Sequence, residues 1–215
     1  NSRNKDTIKI LKEYSEKNRK IKVKFLDENY GISGNTNECL AMVTGEYIGL
    51  FDHDDLLTPD ALFEVVSVIN SKDKPDFIYS DEDKVDEHSL RLFDPHFKPD
   101  FSPDTLRSYN YITHFSVFSK ELLEKAGNFN QECDGSQDYD IILRMTEKAN
   151  KIVHIPKVLY HWRTHMNSVA LNPESKRYAF EAGKRAIGHH LDRIGLKGKV
   201  RDGKFLGGYK VDYDL

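Results

Sequence analysis

The sequence predicts an α/β domain with a mainly parallel central sheet. Apolar strand-like runs alternate with amphipathic helical segments along the first half of the chain, which is the order of strand–helix–strand units. Residues 46–51 are apolar on both faces, as strands covered by helices usually are, and Pro75 precedes a second such run at residues 77–79. The length of 215 residues suits one domain, which we expect at residues 1–195.

Composition excludes several classes of protein. Lys and Arg number 32 and Asp and Glu 35, a net charge of −3, whereas nucleic-acid-binding domains usually carry a basic excess. Two cysteines are too few for a disulfide scaffold and favour a reducing compartment. No apolar run of about 18 residues predicts a membrane span, and the polar start has no signal-peptide pattern. We expect a cytoplasmic protein with no nucleic-acid partner and no membrane insertion, at most peripheral at the inner face of the plasma membrane.

The spacing of apolar residues predicts the individual elements. Apolar side chains three or four residues apart indicate helices, and alternating or short continuous apolar runs indicate strands. The predicted helices lie at residues 7–17, 34–44, 119–126 and 175–194, with two more after Pro59 and Asp138. The predicted strands lie at residues 21–25, 46–51, 77–79, 114–118 and 152–155.

Two segments are less regular. Three prolines within residues 88–112 predict a long ordered loop, or a short helix after Ser102. Residues 196–215 read as a C-terminal tail or linker. Its Asp-Gly and Gly-Gly pairs, flanked by alternating residues, are the turn signals of a hairpin.

Acidic clusters follow both apolar strands. Asp-His-Asp-Asp occupies residues 52–55 and Asp-Glu-Asp residues 81–83, and ligands of α/β sheets gather beyond the carboxyl ends of strands. Neighbouring carboxylates repel unless a cation or solvent offsets their charge, and their oxygens suit Mg²⁺ or Mn²⁺. The alternatives are a solvated turn that caps the next helix and a solvated strand end. The apolar strand before residues 52–55 favours a site there.

Three further segments combine chemistry-bearing residues. Gly-Ser-Gln-Asp-Tyr-Asp at 135–140 is either a helix cap or the location of a general base. Tyr-His-Trp-Arg-Thr-His at 160–165 offers two imidazoles and a guanidinium, for structural hydrogen bonds or for a metal and a diphosphate. Asn-Tyr-Gly-Ile-Ser-Gly at 29–34 is either a phosphate loop or an ordinary turn into a helix.

In this order the segments resemble family-2 glycosyltransferases, which have the GT-A fold. The first half of the match is Asn-Tyr-Gly-Ile-Ser-Gly-Asn-Thr-Asn at 29–37, Ala41, Gly-Glu-Tyr-Ile at 45–48, the acids at 52–55 and Pro-Asp-Ala-Leu at 59–62. The second half is the acidic motif at 135–140 with Arg144, where Gln137 replaces the usual Glu, and Tyr-x-x-Arg-x-His-x-x-Ser at 160–168. The resemblance covers roughly residues 6–170. It implies that the chain lacks the family's first strand or strands.

The resemblance implies an inverting, metal-dependent glycosyltransferase that uses Mn²⁺ or Mg²⁺ and a UDP- or dTDP-sugar. The acceptor would be a hydroxyl of a glycan or lipid-linked saccharide in bacterial surface polysaccharide or glycoprotein glycan synthesis. A neighbouring transferase module is expected in the full-length protein, and this segment alone could be inactive. The alternatives are a catalytically weak scaffold or glycan-binding domain and a sugar-1-phosphate nucleotidyltransferase.

The resemblance also implies residue roles. Asp138 would be the general base, with a pKa less perturbed because Gln137 replaces an acid. The metal ligands would be Asp54, Asp52 and His165, with His161 ranked after His165. Asp52 would otherwise contact the donor's ribose or diphosphate, and the remaining donor-binding residues would be Asn29, Gly31, Gly34 and Arg163. The donor-sugar and acceptor region would contain Asp81, Glu82, Asp83, Lys98, His114 and Gln137.

Overall fold

A six-stranded sheet forms the centre of the computed structural model, which describes residues 4–164 and 177–214. Its strands run in the order β1-β5-β3-β6-β2, and β4 pairs with β3 beside this path. The strands are β1 (Tyr47–Gly49), β2 (Leu56–Leu57), β3 (Phe77–Val85), β4 (Leu92–His96), β5 (Ser116–Ser119) and β6 (Ile152–Arg163).

The expectation of a mainly parallel sheet is wrong. Strands β3 and β6 pair in parallel, whereas the other four pairings described within this six-stranded sheet are antiparallel. Strand β5 runs back between β1 and β3, so these two strands share a direction without touching. An apolar run does not determine the direction of the neighbouring strand. The run at residues 46–51 is also not buried on both faces: β1 is at the edge of the sheet, Ile48 alone among these residues is buried, and Phe51 is 52% exposed.

Helices and a hairpin complete the fold. The helices are α1 (Lys5–Lys17), α2 (Gly31–Leu40), α3 (Ala61–Ile69), α4 (Pro103–Ser108), α5 (Lys120–Ala126), α6 (Gln137–Lys148) and α7 (Arg177–Arg193), with a 3₁₀ turn at Gln131–Cys133. Strands β7 (Gly198–Asp202) and β8 (Tyr209–Tyr213) form an antiparallel hairpin in the C-terminal tail. Side-chain oxygens of Ser102 and Ser119 cap α4 and α5, and Gly127 ends α5 at a φ of 82°. None of the described helices is both long and apolar enough to cross a membrane.

Several predicted element boundaries are corrected. Residues 21–25 form no strand, because they pair with no described strand and the side chains of Ile21 and Phe25 remain exposed. Helix α2 lies three or four residues before its predicted bounds, because the chain already turns where Leu40 and Val43 pack against the core. Pro59 lies in the turn before α3 rather than inside that helix.

Both long strands extend further than the apolar pattern predicts. Strand β3 continues through residues 81–83, and β6 has twelve residues where four were expected. The two strands pair along their whole length, which places Glu82 opposite Tyr160 and Asp83 opposite His161. Backbone pairing therefore carries the acids of residues 81–83 into the interior of the sheet.

The core lies on both faces of this sheet. Phe77 and Tyr79 of β3 belong to the larger apolar cluster, with residues of α4, α5, α6 and α7. Ile78 between them belongs to the second cluster, with Ala61 and Val65 of α3. This alternation is the two-residue period of a strand covered on both faces.

The C-terminal hairpin packs on α7 and joins the larger cluster through Tyr209. The Tyr209 hydroxyl donates a hydrogen bond to the carbonyl of Phe180 at 3.2 Å. Directly below it, Gly183 leaves room for the tyrosine ring, since a Cβ atom there would collide with the phenol end. The domain boundary placed at residue 195 stays a prediction.

Substitution of Gly183 by alanine is expected to lower the free energy of unfolding by about 1–3 kcal/mol, because the buried, hydrogen-bonded Tyr209 must move. Gly188→Ala is the matched control on the same helix, where an added Cβ meets nothing within 4 Å. It should raise that free energy by about 0.5–1 kcal/mol through helix propensity. Urea denaturation measures both, and equal effects of the two substitutions would contradict the packing account.

Candidate active site

Asp55 anchors the acidic loop at residues 52–55 to strand β6. Its buried carboxylate accepts hydrogen bonds from the Tyr160 hydroxyl and, at 2.8 Å, from the backbone N–H of Arg163. Burial raises the pKa of Asp55, and these two hydrogen bonds partly offset the rise. With Asp55 turned inward, the carboxylates of Asp52 and Asp54 face outward with 67% and 38% of their side chains exposed.

Arg163 lies behind this loop and holds it to a second turn. Its guanidinium donates to the carbonyl of Asp54, to the carbonyl of Glu87 at 3.1 Å and to the hydroxyl of Ser89. In the structure Arg163 therefore positions the backbone of the acidic loop. Contact of Arg163 with a donor diphosphate stays a prediction.

Glu82 is the centre of a buried charge network beside the loop. Its carboxylate accepts hydrogen bonds from the Thr113 hydroxyl at 3.0 Å and from the backbone N–H of His114 at 3.1 Å. It also pairs with the ring Nδ1 of His114 at 3.0 Å, with Lys98 Nζ at 3.4 Å and with His96 at 3.5 Å. Burial opposes its charge, but the hydrogen bonds of His114 and His96 and the charge of Lys98 lower the pKa of Glu82 well below its usual range.

Lys98 fixes the segment that carries His114. Its side chain is fully buried, and its ammonium donates to the carbonyls of Ile112, at 2.6 Å, and of His114. Burial lowers the pKa of Lys98 to about 8, even though Glu82 favours the charged form. Lys98 thus lies inside the protein as a structural cation.

His114 connects the network to the acidic loop. Its ring stacks on Tyr160 with centroids 4.5 Å apart, and its Nε2 lies 4.0 Å from a carboxylate oxygen of Asp52. Burial works against the charged imidazole, but the hydrogen bond and charge of Glu82 outweigh it and raise the pKa of His114. The arrangement places a ring that favours protonation next to an exposed carboxylate.

Asp81 and Asp83 are buried, so the alternative of a solvated strand end is wrong. Asp81 pairs with His154 at 2.8 Å, and Asp83 pairs with His161, its neighbour across β3 and β6. Asp81 also accepts a hydrogen bond from the backbone N–H of Lys98 at 2.9 Å. These pairs hold the sheet together, and roles of Asp81 and Asp83 in sugar binding stay predictions.

Asp138 lies in the first turn of α6. Asn110 donates a hydrogen bond to its carboxylate at 3.0 Å, whereas the side chain of Gln137 turns back to accept from the N–H of Gly135 at 2.9 Å. Burial raises the pKa of Asp138. That this pKa is perturbed less than it would be beside a glutamate at residue 137 stays a prediction. The charges of His114 and Asp52 also act on this pKa, in opposite directions. Asp138 and the acidic loop therefore belong to one electrostatic site.

The predicted nucleotide loop contacts a neighbouring loop of the protein. Asn29 accepts a hydrogen bond from the N–H of Gly31 at 3.1 Å, and Gly31 has a φ of 75° that favours glycine. Added Cβ atoms would lie 2.9 Å from Asp134 at Gly31 and 2.8 Å from Gln131 at Gly34. The glycines thus permit close packing against residues 129–134, and a role for them in nucleotide binding stays a prediction.

The outward carboxylates fit a hard divalent cation. Oxygen ligands of Asp52 and Asp54 suit Mn²⁺ or Mg²⁺, which complete their coordination with water and phosphate oxygens. Ligand atoms of Asp52, Asp55 and His114 all lie within 4.8 Å of one another. Asp55 fits less well because both of its oxygens already accept hydrogen bonds. His161 is paired with Asp83, and His165 lies outside the described residues.

The sequence predicted no role for four residues that contact Glu82, Asp138 or Asp55: His96, Asn110, Thr113 and Tyr160. Asn110 and Thr113 lie in no motif, and only the fold brings them to Asp138 and Glu82. Tyr160 begins the segment Tyr-x-x-Arg-x-His that the resemblance matches, but nothing in the sequence predicts the contact of its hydroxyl with Asp55.

The profile of Glycosyl transferase family 2 matches residues 1–127 of the chain, more than half of its length. An uncharacterized protein of Sinorhizobium fredii, y4gI, is 43% identical over 187 residues, which are 86% of this chain and 20% of that protein. The O-antigen biosynthesis protein RfbC of Myxococcus xanthus is 35% identical over 192 residues, which are 89% of this chain and 15% of that protein. The chain thus spans a fifth or less of the length of these relatives.

Solved structures share the fold at low sequence identity. S. aureus TarS in complex with UDP-GlcNAc has a TM-score of 0.64 at 18% identity, over 86% of this chain and 54% of that one. The mannosyltransferase PcManGT from Pyrobaculum calidifontis, in complex with GDP-Man and Mn²⁺, has a TM-score of 0.56 at 16% identity, over 94% and 53%. At these identities the likeness concerns the arrangement of the chain.

Glu82→Gln is expected to lower the free energy of unfolding by about 3–5 kcal/mol near neutral pH, because it leaves the Lys98 ammonium buried without its countercharge. The double variant Glu82→Gln/Lys98→Met should lose less than the sum of the two single variants. The pKa of Glu82 is lowered on folding, so its stabilisation is complete above its ordinary value of 4.5 and is lost as the pH falls below it. Denaturation at several pH values should show that the free energy of unfolding falls less in acid for Glu82→Gln than for the wild type. The pairing would be contradicted if the losses of the two single variants simply added up in the double variant.

Proposed function

The chain belongs to glycosyl transferase family 2, and on that premise we propose that it transfers a sugar from a nucleotide-diphosphate donor to an acceptor hydroxyl. The family, the GT-A fold and the glycosyltransferase class expected from the sequence are confirmed by the profile match, the relatives and the structural likenesses. The observation that carries the proposed chemistry is the half-buried carboxylate of Asp138, which is held by Asn110 at 3.0 Å and lines a cleft of the protein.

Asp138 is the proposed general base. An alcohol is a poor nucleophile, so a carboxylate within hydrogen-bond reach must accept its proton as it attacks the donor sugar. The raised pKa of Asp138 brings this carboxylate closer to the operating pH and makes it a stronger base. Asn110 supports the role, because its hydrogen bond to one carboxylate oxygen fixes the orientation of the Asp138 side chain. A single base with direct attack gives inversion at the anomeric carbon.

Asp52 and Asp54 are the proposed ligands of the donor's metal ion. When bound, Mn²⁺ or Mg²⁺ would offset the negative charge of the departing diphosphate. His114 lies next to Asp52 and favours the protonated state, so it would help to offset the charge of the donor's diphosphate rather than act as a ligand of the metal ion. The nucleotide-sugar complexes of TarS and PcManGT support a donor of this class, and the Mn²⁺ of PcManGT supports the metal. The choice of a UDP- or dTDP-sugar stays a prediction.

The proposed biological setting is bacterial surface polysaccharide. The name of the Myxococcus relative, an O-antigen biosynthesis protein, supports this setting. The greater length of the relatives is consistent with a neighbouring transferase module. The cytoplasmic location and the peripheral membrane contact stay predictions, as does the choice between a glycan and a lipid-linked acceptor.

Asp138→Asn is expected to lower kcat for sugar transfer by about 10²–10⁴-fold, because asparagine cannot accept the acceptor's proton. The matched control is Asp104→Asn, which also changes an acid in the first turn of a helix but one with an exposed carboxylate. Donor consumption and nuclear magnetic resonance of the product's anomeric proton measure rate and stereochemistry together. An Asp138→Asn variant as fast as the wild type would remove the base role, and a retained anomeric configuration would remove the inverting mechanism.

Asp54→Asn is expected to abolish a thermal shift that requires UDP or dTDP together with Mn²⁺, because the variant loses a hard anionic ligand. The control is Asp73→Asn, an exposed acid in the turn after α3. Removing the metal with a chelator should reproduce the Asp54→Asn result in the wild type. An unchanged shift in Asp54→Asn would assign the metal to other ligands.

A further inference from the structure

A cleft of about 750 Å³ opens beside Asp138, within the usual size of a small-ligand site. Its walls come from the segment before β5, from the start of α6, from the end of β6, from α7 and from the turn between β7 and β8. The last two of these walls, α7 and the hairpin turn, lie outside the residues on which the family resemblance depends. The cleft therefore combines the proposed base with a structure contributed by the C-terminal hairpin.

Seven aromatic residues line this cleft, and four of them come from four different parts of the chain: Tyr109, Trp162, Tyr178 and Phe205. Tyr178 and Phe205 are 62% and 61% exposed, although aromatic side chains usually gain most from burial. Phe205 meets Tyr109 edge to face with centroids 6.0 Å apart. Exposed flat rings grouped around one cleft are the typical mark of a surface that binds a ligand.

Polar side chains line the cleft as well. Asn110, Thr113 and Gln137 line it together with Asp138. Each already makes a hydrogen bond within the protein, with Asp138, Glu82 and Gly135 respectively, and its amide or hydroxyl group has further positions for a ligand. A pyranose ring has the matching chemistry, because its C–H faces are apolar and its edge carries hydroxyl groups. Flat aromatic walls with hydrogen-bonding groups beside Asp138 fit a chain of sugar rings better than an acyl chain, because an acyl chain cannot form hydrogen bonds with those groups.

The hairpin turn that carries Phe205 is well ordered by its own contacts. The N–H of Gly203 donates to the carbonyl of Gly208 at 2.8 Å, and the N–H of Gly208 donates to the carbonyl of Phe205 at 3.0 Å. An added Cβ at Gly208 would lie 2.8 Å from the Phe205 ring, so this glycine lets the ring lie directly on the turn. Tyr209 then fastens the hairpin to α7. A surface held in place before binding loses little freedom when the ligand arrives.

We propose that this cleft binds the saccharide acceptor and that Phe205, on the hairpin turn, stacks against one of its pyranose rings. The inference rests on the proposed function for its direction, because Asp138 identifies the end of the cleft where the acceptor hydroxyl reacts. It adds an acceptor-binding residue in the C-terminal tail and names the ligand class as a chain of pyranose sugars.

The sole tryptophan of the chain, Trp162, lines the cleft and reports on binding through its fluorescence. The probes are four neutral tetrasaccharides, built of glucose, galactose, mannose and N-acetylglucosamine, with decanol as the acyl-chain probe. At least one tetrasaccharide should give a saturable change without donor or metal. Phe205→Ala should weaken its affinity about tenfold, and Phe205→Tyr should restore it.

The control is Phe97→Ala, an equally exposed phenylalanine that does not line the cleft, and it should bind as the wild type does. The proposal is overturned if no tetrasaccharide changes the Trp162 signal, if decanol alone does so, or if Phe205→Ala binds normally. Because these titrations contain no donor, they test saccharide binding independently of sugar transfer. Transfer that depends on Asp138 without tetrasaccharide binding would reject this inference alone, and binding without transfer would reject the proposed function alone.

Discussion

The buried carboxylate of Glu82 is the interaction on which the site depends. It lies in the strand at the middle of the sheet and receives the backbone and ring of His114, the hydroxyl of Thr113 and the ammonium of Lys98. An ionised carboxylate is costly to bury, so its partners must all be present for the strand to pack. The same requirement sets the position of His114, and through it the neighbourhood of Asp52. The contacts that stabilise the fold in this region therefore also determine the charges around the site.

The acidic loop shows how one carboxylate orients others. Asp55 uses both oxygens within the protein, on Tyr160 and on the backbone of Arg163, and the guanidinium of Arg163 holds the preceding carbonyl. These contacts fix the backbone of the loop without occupying the side chain of Asp52, which stays largely exposed. The three acids of residues 52–55 therefore have two roles: Asp55 is structural, and Asp52 and Asp54 face outward, where they can bind a cation.

Much of this could be predicted from the sequence, for identifiable reasons. The motif at residues 52–55 and the acids at 135–140 are local patterns, and the resemblance gave them an order and a family. Strand direction could not be predicted, because an apolar run such as residues 46–51 occurs beside parallel and antiparallel neighbours alike. The acids at 81–83 also resemble a loop in sequence, and only pairing with β6 and the basic partners from distant segments explain their burial.

Asn110 illustrates the limit most clearly. It contacts Asp138 across 28 positions of sequence, and nothing in its own surroundings distinguishes it from a loop residue. Arg163 is the opposite case, because the sequence motif identifies the residue but does not predict which groups its guanidinium contacts. Apart from the hydroxyl of Ser89, the partners of its guanidinium are backbone carbonyl oxygens, which every residue has and which the sequence therefore does not reveal.

The register of β6 constrains how this protein can change in evolution. Tyr160 and Trp162 both lie beside the His114 ring, whereas His161 between them pairs with Asp83. Because side chains of a strand alternate, inserting or deleting one residue upstream of Tyr160 within the strand would exchange these two sets. Homologous chains should therefore keep the length of this strand constant while varying its residues. Gaps in an alignment of such chains should collect in the loops at either end.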